Sequence, residues 1–230
     1  MIFSPSIVRA LFCLSLSFFL LAQQDAQKQP LPAPAQQEAQ QPPAQPPTEE
    51  QPASIGILLD NSGSMSAKRD DAVAALKEFV KASNPQDEFF VVNFNDDAYL
   101  DADFTSNPKS IFEALGHADA RSGTALYDAI MVSADHLRQK SKYKKRAMMV
   151  VTDGMDNRSR YSIKQTIKQL HEPGTPAVYA IGLFSRGEAR RARKPLDLLA
   201  SETGGMALYP ENETQFNEMV RQIAQEIRKR

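Results

Sequence analysis

Apolar residues along this chain follow two alternating periods. Short continuous runs at Ile55–Leu59, Glu88–Phe94, Ala147–Thr152 and Ala177–Leu183 are nearly free of charge, the pattern of strands buried on both faces of a parallel sheet. Between them, apolar residues recur at helical spacing. Ala72, Val73, Leu76, Phe79 and Val80 line one side of 68–81, and Ile111, Phe112 and Leu115 follow an Asn107-Pro108 helix start. A third helix is predicted from Thr124 to about Gln139. Ile163, Ile167 and Leu170 stand behind a Ser162-x-x-Gln165 capping box, and Phe216, Met219, Val220, Ile223 and Ile227 mark a closing helix from Thr214. Ala98–Phe104 alternates apolar and polar residues as an edge strand does, and Met206–Tyr209 is a last short strand after the Gly204-Gly205 turn. Alternation of strands and helices predicts an α/β fold, a doubly wound and mostly parallel central sheet with helices on both faces.

The pattern begins only at Ser54. Arg9 precedes an apolar run from Ala10 to Ala22, shorter than the roughly 18 residues that span a bilayer, so residues 1–22 are expected to be a signal peptide or a signal anchor. The expected location is therefore exported: periplasmic, cell-surface or secreted, with membrane contact only through an uncleaved N-terminal segment. Residues 23–53 are rich in Gln, Pro and Ala and lack aromatics, a composition that cannot offset its conformational entropy and predicts a disordered linker. Residues 54–230 form the expected domain. Its stability comes from ordinary packing, since Cys13, the only cysteine, lies inside the first segment. With 27 basic and 28 acidic residues in the chain, the net charge of -1 gives no bulk attraction to nucleic acid or anionic lipid, and partners must be selected locally.

The candidate chemistry gathers where strands end. The run Ile55–Leu59 stops at Asp60-Asn-Ser-Gly-Ser64, which places a carboxylate and two hydroxyls on alternate residues of one turn, with Ser66 as a cap for the following helix. Oxygen donors on a tight turn suit a small hard cation such as Mg2+, or describe a plain turn. An EF-hand is excluded, because its glycine position is Met65 and its terminal glutamate position is Asp71. Neither G-x-x-x-x-G-K nor G-x-G-x-x-G occurs. Thr124 stands at a loop-to-helix junction, where capping is its simplest role and Asp128 favours the helix's positive end. The run Ala147–Thr152 also stops at an aspartate, Asp153, on the same edge of the sheet. Asp96, Asp97, Asp101 and Asp103 fit a turn and a solvated edge.

Asp60-x-Ser62-x-Ser64, then Gly123-Thr124, then Thr152-Asp153-Gly154, in that order, resembles the von Willebrand factor A domain with its metal-ion-dependent adhesion site, in wording closest to the bacterial exported branch. The resemblance covers 54–230. It implies a Rossmann-like sheet with one divalent cation, Mg2+ or Mn2+, at its carboxyl edge, held by the hydroxyls of Ser62, Ser64 and Thr124 and by Asp60 and Asp153 directly or through water. The implied function is an adhesion or interaction module in which an acidic residue of a protein partner completes the metal's coordination. Asn61, Met65, Arg121, Met155 and Asn157 form the expected partner-binding rim. A structural module braced by its metal is the alternative, and a metal-assisted hydrolase a further one. The hydrolase lacks a positioned base, since His117, His136 and His171 lie in or beside helices and no G-x-S-x-G elbow is present. No catalytic residue is expected.

Overall fold

The computed structural model describes residues 51–118, 123–184 and 189–230. The expected signal segment, almost all of the expected linker and Arg121 lie outside the described residues.

Strand β1 (Ala53–Asp60) is buried along its whole length and occupies the middle of the sheet. A short 3-10 turn (Gly63–Ala67) leads to α1 (Arg69–Ala82), then β2 (Glu88–Phe94), β3 (Ala98–Thr105), α2 (Pro108–Leu115) and α3 (Leu126–Lys140). The chain continues through β4 (Lys145–Thr152), α4 (Ile163–Leu170), β5 (Ala177–Gly182), α5 (Ala189–Thr203), β6 (Ala207–Leu208) and α6 (Glu213–Lys229). The strand order is β3-β2-β1-β4-β5-β6, and all pairings are parallel except that of β3 with β2. After β1 the chain builds outward through β2 and β3, then returns to place β4 on the other side of β1. Winding thus reverses between β1 and β4, the position where open α/β sheets form a crevice at the carboxyl ends of their strands.

Alternate residues of the strands feed two cores. Ile55, Ile57, Leu59, Met149 and Val151 face one layer with Leu76 and Phe79 of α1, Ile111 and Leu115 of α2, and Val220 and Ile223 of α6. Leu58, Phe90, Met148 and Val150 face the other with Ile130 and Leu137 of α3, Leu170 of α4, and Leu196 and Leu199 of α5. Burial on both faces explains why these runs read as continuously apolar.

The expected edge strand is β3, which bonds to β2 with register shifts. Asn107 caps α2 by accepting from Lys109 N, with Pro108 in the first turn, and the Ser162/Gln165 capping box is formed in full. Helix α5 has no counterpart in the periodicity above, because Pro195 and a basic start obscure it. Leu196, Leu199 and Ala200 are buried, so packing outweighs the backbone donor that Pro195 gives up inside the helix. Behind α5, Gly204 adopts φ 73°, and Gly205 presses so closely on β5 that an added Cβ would lie 1.9 Å from Val178 O.

Candidate functional site

Register sets the site. Leu59 pairs with Val151, so Asp60 and Thr152 leave the sheet side by side at the winding reversal. Thr152 Oγ1 donates to Asp60 Oδ2 (2.5 Å), and Ser62 N donates to Asp60 Oδ1 (2.8 Å), which closes the turn on its own carboxylate. The turn then presents Ser62 Oγ 3.2 Å from Ser64 Oγ, and Ser64 Oγ donates to Asp153 Oδ1 at 2.7 Å. Ser66 does not cap α1. Its hydroxyl turns back to Gly63 O (2.5 Å), and Lys68 takes the cap position without a side-chain bond.

Thr124 enters from the other side. Its N donates to Asn157 Oδ1 (3.0 Å) and its carbonyl accepts from the N–H groups of Asn157 (3.0 Å) and Arg158 (3.3 Å). A side chain at Gly154 would come within 3.4 Å of Thr124 Oγ1, so the hydroxyl lies against the chain leaving Asp153. The cap residue of α3 is Ala125, which leaves the Thr124 hydroxyl unused by the helix. Asp128 sits in the first turn of α3 as expected but does more: it accepts from Arg160 N (3.0 Å), Tyr161 N (3.2 Å) and Arg160 Nε (2.9 Å). Asp156 accepts from Tyr127 N (3.0 Å) and from the Ser159 hydroxyl. The loop after β4 is therefore latched to α3, and through it Asp153 and Thr124 are held together.

Asp60, Ser62, Thr124 and Asp153 are all buried. Burial pushes the Asp60 carboxyl above its ordinary value; hydrogen bonds from Thr152 and Ser62 oppose this, while the neighbouring Asp153 adds to it. One cation already answers the local negative charge. Lys68 Nζ lies 2.6 Å from Asp153 Oδ2, with the lysine side chain 36% exposed and the aspartate 1%.

The expected rim divides. Met155 is 49% exposed and Asn157 is exposed beside the donors, although Asn157 Oδ1 is engaged by Thr124 N. Met65 does not belong to a rim: it is fully buried, turned into the core by the 3-10 turn that leaves Ser64 exposed. Asn61 is also buried, its amide donating to His117 O (3.1 Å) and accepting from Arg69 Nε (2.8 Å). His117, expected away from the ligand edge, has its backbone against that edge, while its ring pairs with Asp101 at 3.1 Å. Two hollows flank the donors. One of about 340 Å³ is lined by Asn61, Asn93, Tyr99, Asp101 and His117, and one of about 220 Å³ by Lys68, Asp71, Phe184, Glu211 and Phe216.

The family model described as von Willebrand factor type A domain matches residues 55–155, from β1 through the loop after β4. That stretch is similar to a von Willebrand factor type A domain. Solved structures agree in fold. A von Willebrand factor type A protein from Catenulispora acidiphila superposes with a TM-score of 0.64 at 20% identity over 76% of this chain, which spans only 42% of that one. A conserved hypothetical protein, BatB, from Bacteroides thetaiotaomicron gives 0.63 at 19% identity over 77% of this chain and 100% of its own. The vWF domain of the type V pili tip protein Mfa5 from Porphyromonas gingivalis gives 0.62 at 12% identity over 76% and 96%. No curated protein matches the chain.

Among the described residues, no group of three His, Cys, Asp or Glu side chains is placed to hold a metal. The donors that converge are two carboxylates and three hydroxyls, all hard oxygens, which fit Mg2+ or Mn2+ and not a soft-ligand zinc site. Lys68 is the residue that sequence reasoning missed. A signal existed, since a cation at a helix N-terminus opposes the macrodipole and calls for a nearby anion.

Proposed function

We propose that this domain is an exported protein-binding module whose contact is made through a divalent cation. Asp60, Ser62, Ser64, Thr124 and Asp153 would hold Mg2+, with Mn2+ as a substitute, and the ion would supply an electrophilic position for the carboxylate of a protein partner. The observation that carries this is the run of contacts from Asp60 through Ser62 and Ser64 to Asp153, with the Thr124 hydroxyl lying against the chain at Gly154, at the sheet's winding reversal. The hydroxyls add no charge, so a direct shell with only one of the two carboxylates would leave a doubly charged ion net positive, and Mg2+ readily keeps exchangeable positions. Exposed Met155 and Asn157 stand where a partner would approach and are the residues that select it. Likeness to a pilus-tip domain supports a surface role. The N-terminal segment would direct export and, if uncleaved, tether the domain to a membrane.

Binding is favoured over hydrolysis because each histidine is engaged elsewhere: His117 with Asp101, His136 with Asp103 and His171 with Glu202. Such a base would have to stand within hydrogen-bond reach of a metal-bound water. Capture of partners from the native extract, with and without chelator and with Asp60→Ala beside the wild type, tests the function. Capture that needs both the ion and Asp60 is expected; equal capture by the folded wild type with and without chelator overturns it.

A further inference from the structure

We infer that Lys68 is a built-in counter-cation that sets how tightly this site takes a metal and how strongly the loaded site attracts an anion. The inference rests on the metal reading above and concerns a residue outside the five donors. Lys68 Nζ is 2.6 Å from Asp153 Oδ2, while the other oxygen of the same carboxylate accepts from Ser64 Oγ at 2.7 Å. Both oxygens of Asp153 are thus engaged within the chain, one by a full positive charge.

Charge decides the consequence. Asp60 and Asp153 together would balance a divalent ion and leave the loaded site neutral. With the Lys68 ammonium included, the same site carries one positive charge when loaded. A metal must therefore share Asp153 with an attached competitor, which weakens its binding, and the loaded site gains attraction for a carboxylate. Lys68 is placed for this by the fold. It occupies the cap position of α1, the positive end of a 14-residue helix, where an ammonium is disfavoured unless an anion lies close by. The aspartate that stabilises it is almost fully buried, so solvent screens the pair weakly on that side. Lys68 also lines the hollow of about 220 Å³ beside the donors, so its ammonium is reachable by a ligand that approaches the ion.

The test is calorimetric titration of the domain with Mn2+, comparing wild type, Lys68→Met and Lys68→Arg, each checked for folding by circular dichroism. Lys68→Met keeps the aliphatic stem and removes the charge, and should tighten Mn2+ by about tenfold, the scale of removing one partly exposed charge beside a divalent ion. Lys68→Arg keeps the charge and should stay near the wild type. A second arm titrates the Mn2+-saturated proteins with acetate, which should bind more weakly to Lys68→Met. Equal Mn2+ affinity in wild type and Lys68→Met overturns the inference, as does equal tightening in Lys68→Arg, which would assign the effect to shape. Mn2+ uptake by Lys68→Met with none by the wild type is its extreme form. Uptake by neither folded protein ends the metal reading itself.

Discussion

Two loops leave the middle of the sheet at the same edge, each beginning with an aspartate, and they reach their positions by different means. The turn after β1 closes largely on itself, with bonds from Thr152 and to His117 O added from outside: Asp60 accepts from Ser62 N two residues on, and Ser66 bonds to Gly63 O. The loop after β4 is held from outside, by Asp128 and Tyr127 of α3 and by the backbone of Thr124, about thirty residues earlier in the chain. A local turn can be coded in seven residues. A latched loop needs two distant segments to agree, and its stability depends on the packing that brings them together.

Removing the shared centre breaks the comparison most severely. Asp60→Ala should abolish Mn2+ uptake by calorimetry, and with it the thermal shift on adding metal, which for wild type at roughly a hundred times Kd corresponds to about 2.7 kcal/mol. Next in size is the latch. Asp128→Ala strands the N–H groups of Arg160 and Tyr161 and should cost about 2 kcal/mol in denaturant unfolding. It should also weaken Mn2+ by about tenfold through loss of support behind the ligands, although Asp128 is not itself a donor to the ion. If Asp128→Ala leaves Mn2+ affinity unchanged, the two loops are independent. Asn157→Ala removes a single acceptor from Thr124 N and should cost about 1 kcal/mol, measured the same way.

A control far from both loops sharpens the contrast. Asp87 is buried at the start of β2, accepting from Ala53 N (2.7 Å) and Asn84 N (3.0 Å), and burial raises its carboxyl above the ordinary value. The folded state then takes up this proton at a higher pH than the unfolded chain. Ionised Asp87 is thus a liability at neutral pH, which is relieved as pH falls from the raised value toward the ordinary one. Relative to Asp87→Asn, the wild type should gain stability across that acid window, with Mn2+ binding at neutral pH equal in the two. The smallest effect on the metal is expected at the rim, where Met155→Glu should reduce partner capture while Mn2+ affinity changes less than threefold, the sensitivity of an exposed charge near a screened site.

These differences track what could be read in advance. Asp60, Ser62 and Ser64 were legible because a strand-length apolar run ends in alternate oxygen side chains, all within one local segment. Asp153 followed from the same rule applied to β4. The inward turn of Met65 was not legible, because spacing alone does not tell that a 3-10 turn follows Ser62 and points Met65 in while Ser64 stays exposed. Asn61 was misplaced for a related reason: its partners, Arg69 and the carbonyl of His117, belong to segments that only the tertiary fold brings near. Helix α5 was hidden by local composition, since Pro195 argues against a helix and the run of basic residues before it obscures the apolar stripe, whereas Leu196 and Leu199 secure the helix by burial. The capping role expected of Thr124 was misplaced by one residue, since α3 starts later, with Ala125 as the cap.

Gly205 carries a consequence for how freely the chain can vary. Its Cβ position is filled by the carbonyl of Val178, a main-chain group in the interior of β5 that no rotamer change can move aside. At a core position such as Ile57 a library of substitutions would return a graded series, because neighbouring side chains can repack. At 205 the same library should return one amino acid. The tolerance profile would drop to zero at a residue that makes no contact with the proposed metal donors, and its severity would report only the close passage of two backbones.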